Sequence, residues 1–187
     1  ELLIQDPAIN TIVIATRHNT HARYVLAALR AGKRVFVEKP LCLTRDELTE
    51  IEAAVSAHGP AFLMVGFNRR FSPLAVKMRS LLASAREPKT LIVTVNAGSV
   101  PPEHWTVDPA TGGGRIIGEG CHFVDLLRFL AGAPIVGVQA AAACDAAGVI
   151  QEDRMTFTLT FVDGSVGTVH YFSNGSKAFP KERVEAF

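Results

Sequence analysis

The chain has 187 residues, of which 48% are hydrophobic, enough for a real core in one domain or in parts of two at roughly 150 residues per domain. Its 19 basic and 18 acidic residues leave no field that would gather nucleic acid or an anionic membrane, and no apolar run reaches the length of a bilayer span. The start shows no basic-then-apolar leader, and Cys42, Cys121 and Cys144 are odd in number and far apart; the expectation is a reducing cytoplasm, buried free thiols, no disulfide framework and no zinc site.

In chain order, residues 11–15, 34–37 and 61–65 are short apolar runs rich in β-branched side chains, which predicts strands covered on both faces. Between the first two, Ala22, Val25, Leu26 and Leu29 share one helical stripe and Gly32 stands where the helix should stop. Between the second and third, Thr44 and Glu47 have capping-box spacing, Leu48, Ile51 and Val55 continue an apolar stripe, and Gly59-Pro60 breaks it. Two successive β-α-β crossovers make a doubly wound parallel sheet the expected architecture.

After Phe71 the pattern changes. Ser72-Pro73 reads as an N-cap and first helical residue of a helix running to about Arg86. Longer strands follow, at residues 91–95, 138–144, 155–161 and 166–172, the last two joined through Asp163-Gly164, a hairpin signal. Hydroxyl and apolar residues alternate from Thr156 to Phe161, as an antiparallel sheet with one covered face requires. A second, α+β domain with an open, mainly antiparallel sheet is therefore expected over residues 71–187.

Three segments follow predicted parallel strands directly: residues 16–21, Glu38-Lys39-Pro40, and residues 68–70. Ligands collect at the carboxyl ends of such strands, where loops converge on a crevice. In the second part, His122 and Asp125 lie three apart and share a helix face, with Leu126, Phe129 and Leu130 as the buried stripe. A histidine in the first turn of a helix is favoured as neutral imidazole, the form that accepts a proton.

Ile14-Ala15-Thr16, the run from Ala28 to Pro40, Gly66-Phe67-Asn68-Arg69-Arg70-Phe71, and Gly112-Gly113-Gly114 through His122 together resemble the glucose-fructose oxidoreductase and inositol dehydrogenase (Gfo/Idh/MocA) family of nicotinamide-dependent enzymes. The resemblance runs almost end to end, and residues 100–105 and 112–130 are most similar to the C-terminal half of larger bacterial bi-domain oxidoreductases. It implies a partial Rossmann domain over residues 1–70, then a substrate and oligomerisation domain over residues 71–187. It also implies that Ala15, Thr16, His18, His21, Glu38, Lys39 and Pro40 line NAD or NADP. By the same resemblance Lys39 and His122 are catalytic, and Asn68, Arg70, Glu119 and His122 hold a small sugar or polyol. A homo-oligomer through the open sheet is expected, with neither nucleic acid nor membrane as partner.

Two departures qualify these expectations. Where many relatives carry an Asp four residues before the histidine, this chain has Gly118, with Glu119 adjacent as a stand-in. No glycine-rich phosphate-binding turn precedes Thr11, and the chain ends inside an apparent strand, so it reads as an internal piece that binds cofactor poorly by itself. Hydride transfer to nicotinamide from a carbohydrate or cyclitol-like hydroxyl is the leading functional reading. A catalytically silent binding or assembly module and an NAD-dependent glycosidase are the alternatives.

Overall fold

Two sheets, one of three parallel strands and one of five mixed strands, organise the chain in the computed structural model, which describes residues 2–58 and 62–187. The chain divides into two compact units: Glu1–Phe67 with Trp105–Glu119, and Asn68–His104 with Gly120–Phe187. The sequence reading draws one boundary near Phe71. The loop Trp105–Glu119 instead groups with the first unit through long-range bonds such as Asn19 N–H to the Thr111 carbonyl, 3.1 Å, which no local pattern announces.

The first unit runs α1 (Leu2–Gln5), β1 (Thr11–Ile14), a 3₁₀ turn (His18–Thr20), α2 (His21–Arg30), β2 (Arg34–Val37), α3 (Arg45–His58) and β3 (Leu63–Val65). The strands lie in the order β1-β2-β3, all parallel. Ala22, Val25, Leu26 and Leu29 are all buried in α2, and Gly32 takes φ 67° just past its end, the left-handed conformation that costs glycine nothing. The Thr44–Glu47 capping box forms in full. Glu47 N–H donates to Thr44 Oγ1 at 3.2 Å, and the Glu47 carboxylate accepts from Thr44 N–H at 3.0 Å. Gly59, Pro60 and Ala61, expected to break that helix and open the third strand, lie outside the described residues.

Coverage on both faces is corrected. Ile14, Val35 and Val37 point into one core with Val25, Leu29 and Ile51. Val13, Phe36 and Met64, in register on the opposite face, are 69% exposed at Val13 and 50% at Met64. The apolar residues on that face are those of a doubly covered strand, but among the described residues nothing buries them.

The second unit contains a 3₁₀ turn (Asn68–Phe71), α4 (Pro73–Leu82), β4 (Thr90–Asn96), α5 (Cys121–Ala131), β5 (Ile135–Cys144), β6 (Ile150–Phe161), β7 (Val166–Phe172) and β8 (Glu182–Ala186). The strand order is β5-β6-β7-β4-β8, with β4 parallel to β7 and every other pair antiparallel. Phe157, Leu159 and Phe161 are buried, and Leu127 of α5 rests against Gly167 of β7, a site where a Cβ would come within 2.9 Å of it. On the opposite face Thr158 and Thr168 hydroxyls meet at 3.0 Å.

Three local expectations are also corrected. Helix α4 ends at Leu82, short of Arg86, and none of its residues is buried; Leu74 is 84% exposed. Phe129 is only partly buried, so the α5 stripe is His122, Leu126 and Leu130 with Phe123 and Leu127. Cys144 is exposed and Cys42 and Cys121 are half-buried, so the thiols are free but not core. Removing the α3 cap by Thr44→Ala should cost about 1 kcal/mol, read as a lowered midpoint in urea unfolding.

Candidate functional site

The strand ends of the first unit form one row, because the parallel ladder continues past each strand. Glu38 N–H donates to the Ile14 carbonyl and Gly66 N–H to the Val37 carbonyl, both at 2.8 Å. Ala15, Thr16 and Glu38 are exposed on this row, Lys39 is half-buried and Pro40 buried. The Thr20 hydroxyl donates to the Arg17 carbonyl at 2.7 Å. Its single proton is thereby spent, so the Thr16 hydroxyl, 2.6 Å away, is the donor to it.

His21, the first residue of α2, staples the row together. Its Nδ1 lies 2.7 Å from the Pro40 carbonyl and its Nε2 3.0 Å from the Thr16 carbonyl. The residue is 0% exposed, and a ring with no exposed surface touches no ligand in this conformation. The expected cofactor contact by His21 is thus corrected to support of the strand ends.

His18 is also buried, and its Nδ1 donates to the Gly112 carbonyl at 2.7 Å. Trp105 packs edge-on against it, with ring centroids 4.7 Å apart, and the Arg17 guanidinium lies over the same indole at 5.7 Å. Gly112 itself has no room for a side chain, since a Cβ would stand 2.4 Å from the Thr106 Cα. Burial is the largest cause holding His18 below the ordinary imidazole value; the Gly112 bond opposes it, and the charges of Lys39 and His21 add to the lowering.

Lys39 Nζ donates to the Gly118 carbonyl at 2.6 Å, and among the described residues it forms no ion pair. The Glu119 carboxylate accepts from Arg115 Nη2 at 2.8 Å, and it is a backbone carbonyl that takes the ammonium. Gly118 and Glu119 belong to a π-helical turn, Ile116–Gly120, that runs directly into α5. Gly120, at the N-cap position, has helical φ −56° and ψ −31°. The helix dipole therefore does not begin at His122, and the argument for a neutral imidazole from a free helix start falls away.

His122 is 5% exposed on α5 of the second unit, while Lys39 belongs to the first. Asn68 is exposed at the head of its 3₁₀ turn. Arg70 forms an ion pair and keeps part of its side chain exposed. Its guanidinium grips the buried Asp125 carboxylate through two bonds, Nε to Oδ2 at 2.9 Å and Nη2 to Oδ1. That bond is the largest cause raising the Arg70 pKa. Sequence reasoning missed the Gly118 carbonyl, Gly112 and Arg17. A backbone acceptor leaves no side-chain signature, and only the density of glycine in residues 112–120 hinted at close approach.

The donor set on the row suits one end of a dinucleotide. A threonine hydroxyl and an ammonium beside exposed backbone fit ribose hydroxyls and a carboxamide. Residues 1–10 contain no glycine, the residue that lets a backbone turn approach a pyrophosphate closely.

Residues 1–67 match the model of the oxidoreductase family with an NAD-binding Rossmann fold, and residues 76–186 match that of the GFO/IDH/MocA C-terminal domain. The chain belongs to the Gfo/Idh/MocA family of oxidoreductases. It is 32% identical to the uncharacterized oxidoreductase YrbE of Bacillus subtilis, over 99% of this chain and 54% of that protein. It is 36% identical to inositol 2-dehydrogenase 2 of Saccharopolyspora erythraea, over 72% of this chain and 38% of that protein. Levoglucosan dehydrogenase, solved in complex with NADH and levoglucosan, is similar with a TM-score of 0.79 at 26% identity, over 99% of this chain and 53% of that one. The chain spans about half the length, or less, of these relatives.

Because the His18 pKa is depressed on folding, the unfolded chain takes up a proton on this ring at a pH where the folded chain does not. Its contribution to stability should be full above about pH 6.5, the unfolded value, and should be lost as pH falls from there through the lowered pKa. Thermal melts across that range should show a shallower acid slope for His18→Gln than for the unaltered chain.

Proposed function

We propose that the chain is part of an NAD(P)-dependent oxidoreductase that moves a hydride between nicotinamide and a carbohydrate or cyclitol-like hydroxyl. The observation that carries this reading is Lys39, an ammonium held on a backbone carbonyl just past the carboxyl end of β2, beside the exposed Ala15, Thr16 and Glu38. Relatives named for inositol and levoglucosan support a polyhydroxylated substrate.

Ala15, Thr16, Glu38 and Pro40 would line the nicotinamide nucleotide, and bound NAD(P) would supply the acceptor for the hydride. The Lys39 ammonium would donate a hydrogen bond to the substrate hydroxyl oxygen, and the hydroxyl proton would pass to a partner base as the C–H bond to the same carbon breaks and its hydride goes to the nicotinamide. His122 is proposed as the partner base, and Asn68 as a contact to substrate oxygen. The threonine face of the second sheet is the proposed surface for a second copy of the protein.

The open edge of β1 supports a further strand upstream in the parent. Among the described residues β1 pairs only with β2, and its bare side borders a groove of about 300 Å³ lined by Leu3, Ile4, Ile12, Val13 and Tyr24. Calorimetric titration of NAD and NADP should show binding to the chain extended upstream by a strand, turn and helix, and little to the chain as it stands. Binding by neither would overturn the proposal. In a turnover assay of the longer parent, Lys39→Ala should lower kcat by roughly 10² or more; unchanged kcat would remove Lys39 from the mechanism.

A further inference from the structure

Lys39 has an unusual acceptor, and its presentation depends on a residue outside the row of strand ends. The Gly118 carbonyl can face the ammonium at 2.6 Å only if the loop carrying it is held in place. Alongside the Asn19 N–H to Thr111 carbonyl bond, two of the contacts that hold it involve His18. The Nδ1 proton of His18 is given to the Gly112 carbonyl at 2.7 Å, which fixes the loop at one end. The Cε1 edge of the same ring lies under Gly118, where a Cβ would stand only 3.2 Å from it. One imidazole therefore ties residue 112 and supports residue 118. Trp105 closes on the ring edge-on, leaving it little freedom to turn.

We infer that His18 is a positioning residue for Lys39: it sets the loop of residues 112–118 so that the Gly118 carbonyl, in place of a carboxylate, orients the ammonium. A carbonyl only accepts, so the bond to Gly112 assigns the proton to Nδ1 of His18. The lowered His18 pKa is consistent, because a neutral ring sits beside the Lys39 charge with less repulsion than a cation would. A bond from a charged donor is among the stronger hydrogen bonds in a protein, so losing its geometry should be measurable at Lys39 itself. The inference gives the geometry of the proposed catalytic lysine and rests on the proposed function only for what that lysine does.

The test needs neither cofactor nor turnover, so its failure is separable from failure of the proposed function. Lysines of the 187-residue chain are acetylated with limiting acetic anhydride and their rates compared by mass spectrometry. Lys33, buried and bonded to the Asp6 and Ile9 carbonyls, is the internal reference. His18→Leu should raise the Lys39 to Lys33 ratio about tenfold, the order expected for a lost bond to a charged donor. His18→Gln, whose amide can donate to Gly112, should restore most of the protection, a rescue that a purely space-filling role would not predict. Nitrogen NMR of the unaltered chain should find the His18 proton on Nδ1. An unchanged ratio in His18→Leu, a glutamine variant as reactive as the leucine one, or a proton on Nε2 would each overturn the inference. If His18→Leu does not fold, Gly118→Ala sets a Cβ 3.2 Å from the Cε1 of an intact histidine, pressing the ring and the Gly118 carbonyl apart. It should give the same rise, and an unchanged ratio there would overturn the inference as well.

Discussion

A parallel sheet delivers its strand ends to one edge, and whatever charge stands there needs an acceptor. In the first unit that charge is Lys39, and the Gly118 carbonyl meets it. Much of the surrounding architecture follows from this one bond. Residue 118 has little room beside His18, residue 112 must be small because Thr106 lies against it, and the loop between them belongs with the first unit although the sequence places it among the residues of the second. His21 completes the frame by pinning Thr16 and Pro40 carbonyls to the head of α2. Both His18 and His21 are buried, whereas Thr16 and Glu38 are exposed and Lys39 is half-buried.

The second unit solves a different problem with similar means. Asp125 is buried on α5 and would be costly there as a lone charge. Arg70 meets it with a two-bond grip while stacking over Phe129 at 5.6 Å. Arg69, next in the chain, is drawn to Glu182 on β8 at 2.6 Å. Two neighbouring arginines thus anchor the turn after Phe67 to a helix and to an edge strand of the same unit. This is structural use of residues that, by type alone, would suit anion recognition equally well.

The regular elements were legible because local rules and burial agreed. The α2 stripe, the Thr44–Glu47 box, the Ser72 cap and the alternation from Thr156 to Phe161 each name a period or a cap that the structure forms. Family membership was legible for a related reason, since short motifs in a fixed order carry more information than any one of them. What escaped was long-range or backbone-borne. The continuity of Ile116–Gly120 with α5 removes the helix start that the His122 argument assumed. The partners of Arg70 and Glu119 depend on which charge folding brings near, and the acceptor of Lys39 is a carbonyl that every residue possesses. The reading of two covered faces for the first sheet failed for another reason: composition records what a strand is suited to, and Val13 and Met64 remain suited to cover that the described residues do not supply.

The discontinuity of the first unit bears on the order in which the molecule assembles. His18 and Gly112 are 94 residues apart, and residues 68–104, which belong to the other unit, intervene. Helices α2 and α3 and their strands can form from neighbouring contacts, but seating Trp105–Glu119 requires closing one of the longest loops in the chain. Loop-closure entropy makes such contacts late arrivals. During synthesis the strand ends emerge well before the loop that completes them, so Lys39 spends the early life of the chain without the acceptor that orients it. The lysine is held in its final setting only once residues 68–104 of the second unit and the loop after them have also been made.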